Sequence, residues 1–245
     1  MTRLRVQGIV GVLALAAMSG AAAEKEYVCG AGVEVRLSAP IVAPGGVVVV
    51  VVRSEQALES LRAEWKGKPL QFWSGAENAV QRALLGVDLG QSPGVATLKL
   101  TAATAGAPAK GCRVPVRVKK VDYGVERLRV ARRFIELTPE DEARAEREAK
   151  RLQEIFAGVT PERLWSGAFR SPVEGVKPSG NFGRRRFLNG QPRSPHSGED
   201  FPAKLGAPVV AAQRGRVVLA EDFFYSGSTV VLDHGLGLYT FYAHL

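Results

Sequence analysis

Apolar residues recur at every second position through the first half of this chain. Val33, Val35 and Leu37 alternate with Glu34 and Arg36. Ala96, Leu98, Leu100 and Ala102 alternate with Thr97, Lys99 and Thr101, and Val114, Val116 and Val118 alternate with Pro115, Arg117 and Lys119. A period of two puts one face of a strand on a core and the other in water. Pro44-Gly45-Gly46 turns the chain into Val47–Val52, an unbroken valine run that predicts a buried strand. Short strands with Gly and Pro turns over residues 24–122 predict a small β-sandwich-like module. Trp65 and Trp73 fit it as packing residues, with a ligand platform as the alternative.

The period changes after residue 122. Thr138 is a good N-cap, Pro139 suits the first helical position, and Glu140, Asp141 and Glu142 place negative charge at the positive end of the dipole. Ala145, Ala149, Leu152 and Phe156 then share one helical face, and Gly158 ends the run. Thr160-Pro161 predicts a second, short helix through Trp165. Residues 123–165 are expected to form a helical connector. Ser166 to Pro195, rich in Gly, Pro, Ser, Asn and Arg, predicts a long loop of the kind that forms lids or binding segments. Within it Arg184-Arg185-Arg186 either meets an acidic substrate or is plain surface. Strand patterns return at Val209–Ala211, Arg216–Ala220, Thr229–Leu232 and Leu238–Tyr242, separated by Gly turns. Residues 166–245 therefore predict an antiparallel β domain. The strand pattern runs up to Leu245, so the domain is expected to be truncated at its C-terminus. The fold class is mainly β.

The N-terminus bears on compartment. Arg3 and Arg5 precede the apolar run Gly8–Ala17, and Ala21-Ala22-Ala23 precede Glu24-Lys25-Glu26. This is the pattern of a secretory signal over 1–23, cleaved after Ala23. The run is too short to span a bilayer, and no later segment is a transmembrane candidate. Export places the protein in the periplasm or cell envelope. An exported chain with two cysteines, Cys29 and Cys112, suggests one disulfide, with two buried thiols as the alternative. The formal net charge of +9 in 245 residues suits an anionic partner or a basic solvated surface. No nucleic-acid motif accompanies it.

The candidate chemistry lies in the last fifty residues, which hold all three histidines, His196, His234 and His244. His196 and Asp200, four residues apart in Pro195-His196-Ser197-Gly198-Glu199-Asp200-Phe201, offer one nitrogen and one oxygen to a divalent metal such as zinc. A catalytic zinc normally takes three protein ligands, and His234 or His244 is a candidate for the third.

From Ser179 to Leu245 the sequence resembles the catalytic domain of the LytM/lysostaphin-type zinc endopeptidases, the peptidoglycan DD-endopeptidase family. The resemblance rests on HSGED at 196–200, the A-P-V-x-A-A-x-x-G turn at Ala207–Gly215, the Asp233-His234-Gly235 turn, and the strand end Tyr242-Ala243-His244-Leu245. It implies an exported endopeptidase that cuts peptide cross-links of peptidoglycan, with a zinc-activated water as nucleophile. His196 and Asp200 match the family's first two zinc ligands. His244 matches the histidine that lines the active site and helps orient the water. His234 matches a position that is not a ligand. The family's third ligand comes from a downstream His-x-His motif, which would lie beyond Leu245. In some latent members an upstream asparagine caps the zinc, and Asn181 precedes the ligand strand here. The peptide stems carry carboxylates, in keeping with a basic protein. Some domains of this type have lost their ligands and instead regulate cell-wall amidases, which is the alternative reading.

Overall fold

The computed structural model describes residues 8–11, 25–30, 32–74 and 79–245. The chain divides into two compact units, one ending at Asp122 and the other running from Tyr123 to Leu245 together with the strand Gly8–Gly11. The molecule is mainly β, and among the described residues it has one α-helix.

The first unit is two five-stranded sheets around one core. One sheet orders Ile41–Val42, Ala107–Val118, Gly94–Thr104, Leu58–Trp65 and Lys68–Pro69; the other orders Glu26–Val28, Val33–Leu37, Val47–Ser54, Val80–Gly86 and Phe72–Ser74. Pairing is antiparallel except for Ile41–Val42, which runs parallel to Arg117 and Val118. The alternating positions behave as their pattern predicts: Val33, Val35, Leu37, Leu98, Leu100, Val114, Val116 and Val118 are buried in one cluster with Trp65. In the valine run only Val48, Val50 and Val52 face that core. Register decides this, because Val50 lies opposite both Leu37 and Ala83, which are themselves core residues. Cys29, just past one sheet's edge strand, forms a disulfide with Cys112 of the other sheet, the two Cα atoms 5.3 Å apart.

In the second unit a five-stranded antiparallel sheet runs in the order Glu199–Phe201, Gly8–Gly11, Leu238–Ala243, Gly227–Gly235, Arg216–Phe223. The helix Pro139–Ala157 begins as its signals predict, with Thr138 Oγ1 accepting a hydrogen bond from the Asp141 amide at 3.1 Å. Its sheet-facing side differs from the predicted one. Leu152 and Ile155 pack on Leu219, Phe223 and Val231, and Phe156, though exposed, meets the Tyr239 ring edge-on at 5.5 Å, while Ala149 is exposed. Polar anchors account for the rotation. Glu148 accepts from the Phe224 amide at 2.7 Å, Arg144 reaches Asp222, and Arg151 reaches Glu221, so all three sit toward the sheet's edge.

Three further expectations are corrected. No helix follows Thr160, because that segment's backbone is drawn to the 233–236 turn: Leu164 N–H donates to the His234 carbonyl and Leu236 N–H to Thr160. The approach is so close that a Cβ on Gly235 would run into the Glu162 carbonyl, which explains a glycine there. Val209–Ala211 is not a strand. Its backbone pairs with the loop at 170–172 through Val210 N–H to Pro172 and Arg170 to Ala211, not with a ladder. The 166–195 stretch is mostly loop but contains Arg185–Leu188, parallel to Val125–Leu128, and Gln191–Pro192. The signal segment expected at 1–23 lies outside the described residues apart from Gly8–Gly11, whose backbone fills the position between the 199–201 and 238–243 strands.

Candidate metal centre

The strand Glu199–Phe201 carries Asp200, and the turn before it carries His196. Both are nearly sealed from solvent, at 3% and 2% exposure. The loop 179–184 fixes their backbones. His196 N–H donates to the Arg184 carbonyl at 2.9 Å, its own carbonyl accepts from Gly183 N–H at 2.7 Å, and the Asp200 carbonyl accepts from Ser179 N–H at 2.8 Å.

His196 Nε2 and Asp200 Oδ1 approach to 3.3 Å. Yet neither atom has a hydrogen-bond partner of acceptable geometry, and His196 Nδ1 has none either. Leaving a buried polar atom unsatisfied costs about 1–3 kcal/mol. Two of these atoms, His196 Nε2 and Asp200 Oδ1, face each other unsatisfied, which is what a site built for a further group looks like. The spacing fits a metal: donors at roughly 2.0–2.2 Å from a tetrahedral zinc lie about 3.3 Å from each other. Burial works to raise the Asp200 carboxyl, but the His196 ring and the Asn181 amide, with Arg186 behind them, outweigh it and hold the group below its ordinary value. The carboxylate form, the one that ligates metals, is therefore favoured.

His244 follows the strand Leu238–Ala243, half-buried, with its amide donating to Ser226 at 2.8 Å and its backbone in the left-handed region at φ 57°. That conformation is disfavoured for a side-chain-bearing residue, and such strain gathers at functional sites. Burial, opposed by Asp200 and reinforced by Arg186, lowers its pKa. Its imidazole is thus neutral at neutral pH. Arg186 is itself held by Glu126, its Nε 2.9 Å from the carboxylate. His234 plays a different part. It is fully buried, with Nδ1 2.7 Å from the Arg214 carbonyl and Nε2 2.8 Å from Thr240 Oγ1. A carbonyl only accepts, so Nδ1 carries the proton and both ring nitrogens are in use.

His196 and Asp200 are thus brought together, and His234 is not available to a metal. Among the described residues no group of three His, Cys, Asp or Glu side chains is placed to hold an ion. Sequence reading gave Glu199 no role and offered Asn181 only as the zinc cap that the resemblance suggests. Asn181 bonds Asp200 at both ends of its side-chain amide, and Glu199 accepts from the Gly180 and Asn181 amides at 2.6 and 3.3 Å. Glu199 adjoins a ligand candidate; Asn181 lies nineteen residues upstream in a loop, where no periodicity marks it.

Comparisons with known proteins agree with this location. Residues 194–245 match Peptidase family M23. A stretch of 78 residues, 31% of the chain, is 38% identical to the peptidoglycan DD-endopeptidase ShyA of Vibrio cholerae, and a similar stretch is 32% identical to ShyB of the same organism. The matched stretch spans only 18% and 17% of those two relatives. A crystal structure from Pseudomonas aeruginosa assigned to peptidase M23 superposes with a TM-score of 0.59 at 28% identity, over 85% of this chain and 75% of that one. No helix among the described residues is long and apolar enough to cross a membrane. The buried, unsatisfied His196 and Asp200 lie inside the segment that matches Peptidase family M23.

Proposed function

We propose that this protein is an exported, zinc-dependent endopeptidase that hydrolyses peptide cross-links of peptidoglycan in the periplasm or cell envelope. The observation that carries the reading is the pair of buried donor atoms, His196 Nε2 and Asp200 Oδ1, 3.3 Å apart with no partner of their own. Two of its relatives by sequence are peptidoglycan DD-endopeptidases. The DD bond of a peptide stem is the substrate this reading assigns.

His196 and Asp200 would hold the metal. When bound, zinc supplies Lewis acidity at a scissile carbonyl and makes hydroxide available at neutral pH. His244 has the protonation state of a proton acceptor, since burial keeps its ring neutral. Arg186, fixed by Glu126 and close enough to act on both Asp200 and His244, supplies positive charge beside the centre, where a stem carboxylate or developing oxyanion is stabilised. The third protein ligand that a catalytic zinc takes would come from outside the described residues, in keeping with the downstream His-x-His that the resemblance implies. The leader at 1–23 accounts for export, and the basic surface suits an acidic polymer.

The other reading is a non-catalytic module of the same type that regulates cell-wall amidases, and the retained His196, Asp200 and His244 weigh against it. Zinc-loaded protein incubated with purified sacculi separates the two. The endopeptidase reading expects soluble products cut within the peptide cross-link, lost on chelation, restored by zinc and absent with His196→Ala. Release that survives His196→Ala would overturn the metal assignment. No release alone, with stimulation of an added amidase, would favour the regulator.

A further inference from the structure

We infer that Asn181 is a positioning residue that selects which oxygen of Asp200 faces the metal; this rests on the metal reading above. Asn181 is 6% exposed. Its side-chain amide makes two bonds to one residue: Nδ2 donates to Asp200 Oδ2 at 2.6 Å, and Oδ1 accepts from the Asp200 backbone amide at 3.2 Å. A carboxylate is symmetric until something distinguishes its oxygens. Here the Asn181 donor takes Oδ2, so Oδ1 is left unsatisfied and turned toward His196. The clasp also fixes the side chain to its own backbone, so the carboxylate cannot rotate to present both oxygens.

The clasp is itself braced. Glu199 accepts from the amides of Gly180 and Asn181, and Ser179 N–H binds the Asp200 carbonyl, so Asn181 is anchored from both flanks of the ligand strand. Two residues on, Gly183 sits at φ 78° with the Tyr123 ring so close that a Cβ would fall 2.5 Å from it. Its amide and the Arg184 carbonyl then grip the His196 backbone. One short loop therefore sets both ligands, and Asn181 is its only side chain that touches a ligand carboxylate among the described contacts. Both ends of its amide are committed to Asp200, which assigns it to orienting the ligand and not to ligating or capping the ion. Hydrogen bonds behind a metal ligand tune metal affinity by about 10- to 100-fold.

The test is zinc affinity by chelator competition, and the absorption spectrum of the cobalt-substituted protein, in wild type, Asn181→Ala and Asn181→Leu. Folding of each metal-free variant is checked by circular dichroism. The expected result is zinc affinity about 10- to 100-fold weaker, with altered cobalt bands, in variants that remain folded. Folded variants with wild-type affinity and spectrum overturn this inference alone. Failure of the wild type to take up zinc overturns the reading it rests on as well. Should both variants fail to fold, the wild type still decides. Its Asn181 side-chain amide protons should stay slow to exchange with and without metal, and loss of that protection on loading would mean that Asn181 leaves Asp200 for the ion.

Discussion

The two units of this chain solve opposite problems. The first buries a single apolar cluster that spans both sheets, and among the described residues its buried polar side chains are Ser54 and Thr104, of which the Thr104 hydroxyl alone lacks a partner, with no second unpartnered group beside it. The second splits its apolar core into two small clusters, one of Val173, Phe201, Leu232 and Tyr242 and one of Leu219, Phe223 and Val231. It spends its interior on Asn181, His196, Asp200, Thr229, Asp233, His234 and Thr240. Most of these are paired. Asp233 accepts from the Gly235 amide and meets Thr160, and His234 is bonded at both nitrogens. Unsatisfied atoms remain at His196 and Asp200. A hydrophobic core is stabilised by area removed from water, whereas a polar one is stabilised only if every group finds a partner. The second unit leaves two neighbouring groups without one, and this is where a ligand's binding energy can become folding energy.

The sharpest break of that contrast exchanges stability for chemistry. His196→Leu removes two unsatisfied nitrogens at similar volume. It should abolish zinc binding and lower peptide cross-link cleavage by more than about a hundredfold, beyond what a supporting hydrogen bond is worth. In metal-free protein it should destabilise the second unit less than Leu98→Ala destabilises the first, where truncation of a buried leucine costs about 2–5 kcal/mol. Leu98→Ala should leave zinc affinity unchanged. Urea unfolding followed with and without zinc reads both; a His196→Leu protein as damaged as Leu98→Ala without metal would show that the imidazole is structural.

Next in size is the disulfide. Cys29 and Cys112 are 83 residues apart and join the two sheets of the first unit. Closing a loop of that length stabilises by about 4 kcal/mol in the chain-entropy model. Replacing both cysteines by alanine should therefore lower the urea midpoint of the first unit markedly while zinc affinity stays put. Equal loss in both readouts would mean that the two units do not respond separately.

How much of this was legible beforehand follows the same division. Where apolar and polar residues alternate, as at Val33–Leu37, sequence names both the strand and its inner face, because period two leaves no choice. Val47–Val52 names a strand but not its face, since all its residues are alike and only register with Leu37 and Ala83 selects Val48, Val50 and Val52. The helix start was legible in Thr138, Pro139 and the acidic turn. Its packing side was not, because the Arg144, Glu148 and Arg151 anchors depend on strand-end residues seventy or more positions away. The apolar run at Gly8–Ala17 has a leader's composition, and part of it also pairs as a strand. A short apolar run carries no periodicity with which to choose, and the 199–201 and 238–243 strands offer unpaired edges on both sides. At the site, His196 and Asp200 announce themselves by spacing, whereas Asn181 matters only through a contact that the fold creates.

The smallest effect concerns His244, which separates a half-buried polar group from the fully buried ones. Burial, helped by the positive charge of Arg186 and opposed by Asp200, places its pKa below the ordinary value of 6.5. In the unfolded chain the imidazole takes up its proton first as pH falls. The native state is therefore favoured above the ordinary value and loses that contribution as pH drops from there through the lowered one. Titration of the His244 ring by NMR in metal-free protein should give a midpoint under 6.5. Arg186→Gln should move that midpoint upward, because the substitution removes a repelling cation and leaves the Glu126 carboxylate without its partner. A midpoint above 6.5 in the wild type would remove His244 as the neutral proton acceptor of the proposed reaction. A midpoint indifferent to Arg186→Gln would leave burial alone as the cause and take Arg186 out of the electrostatics of the centre.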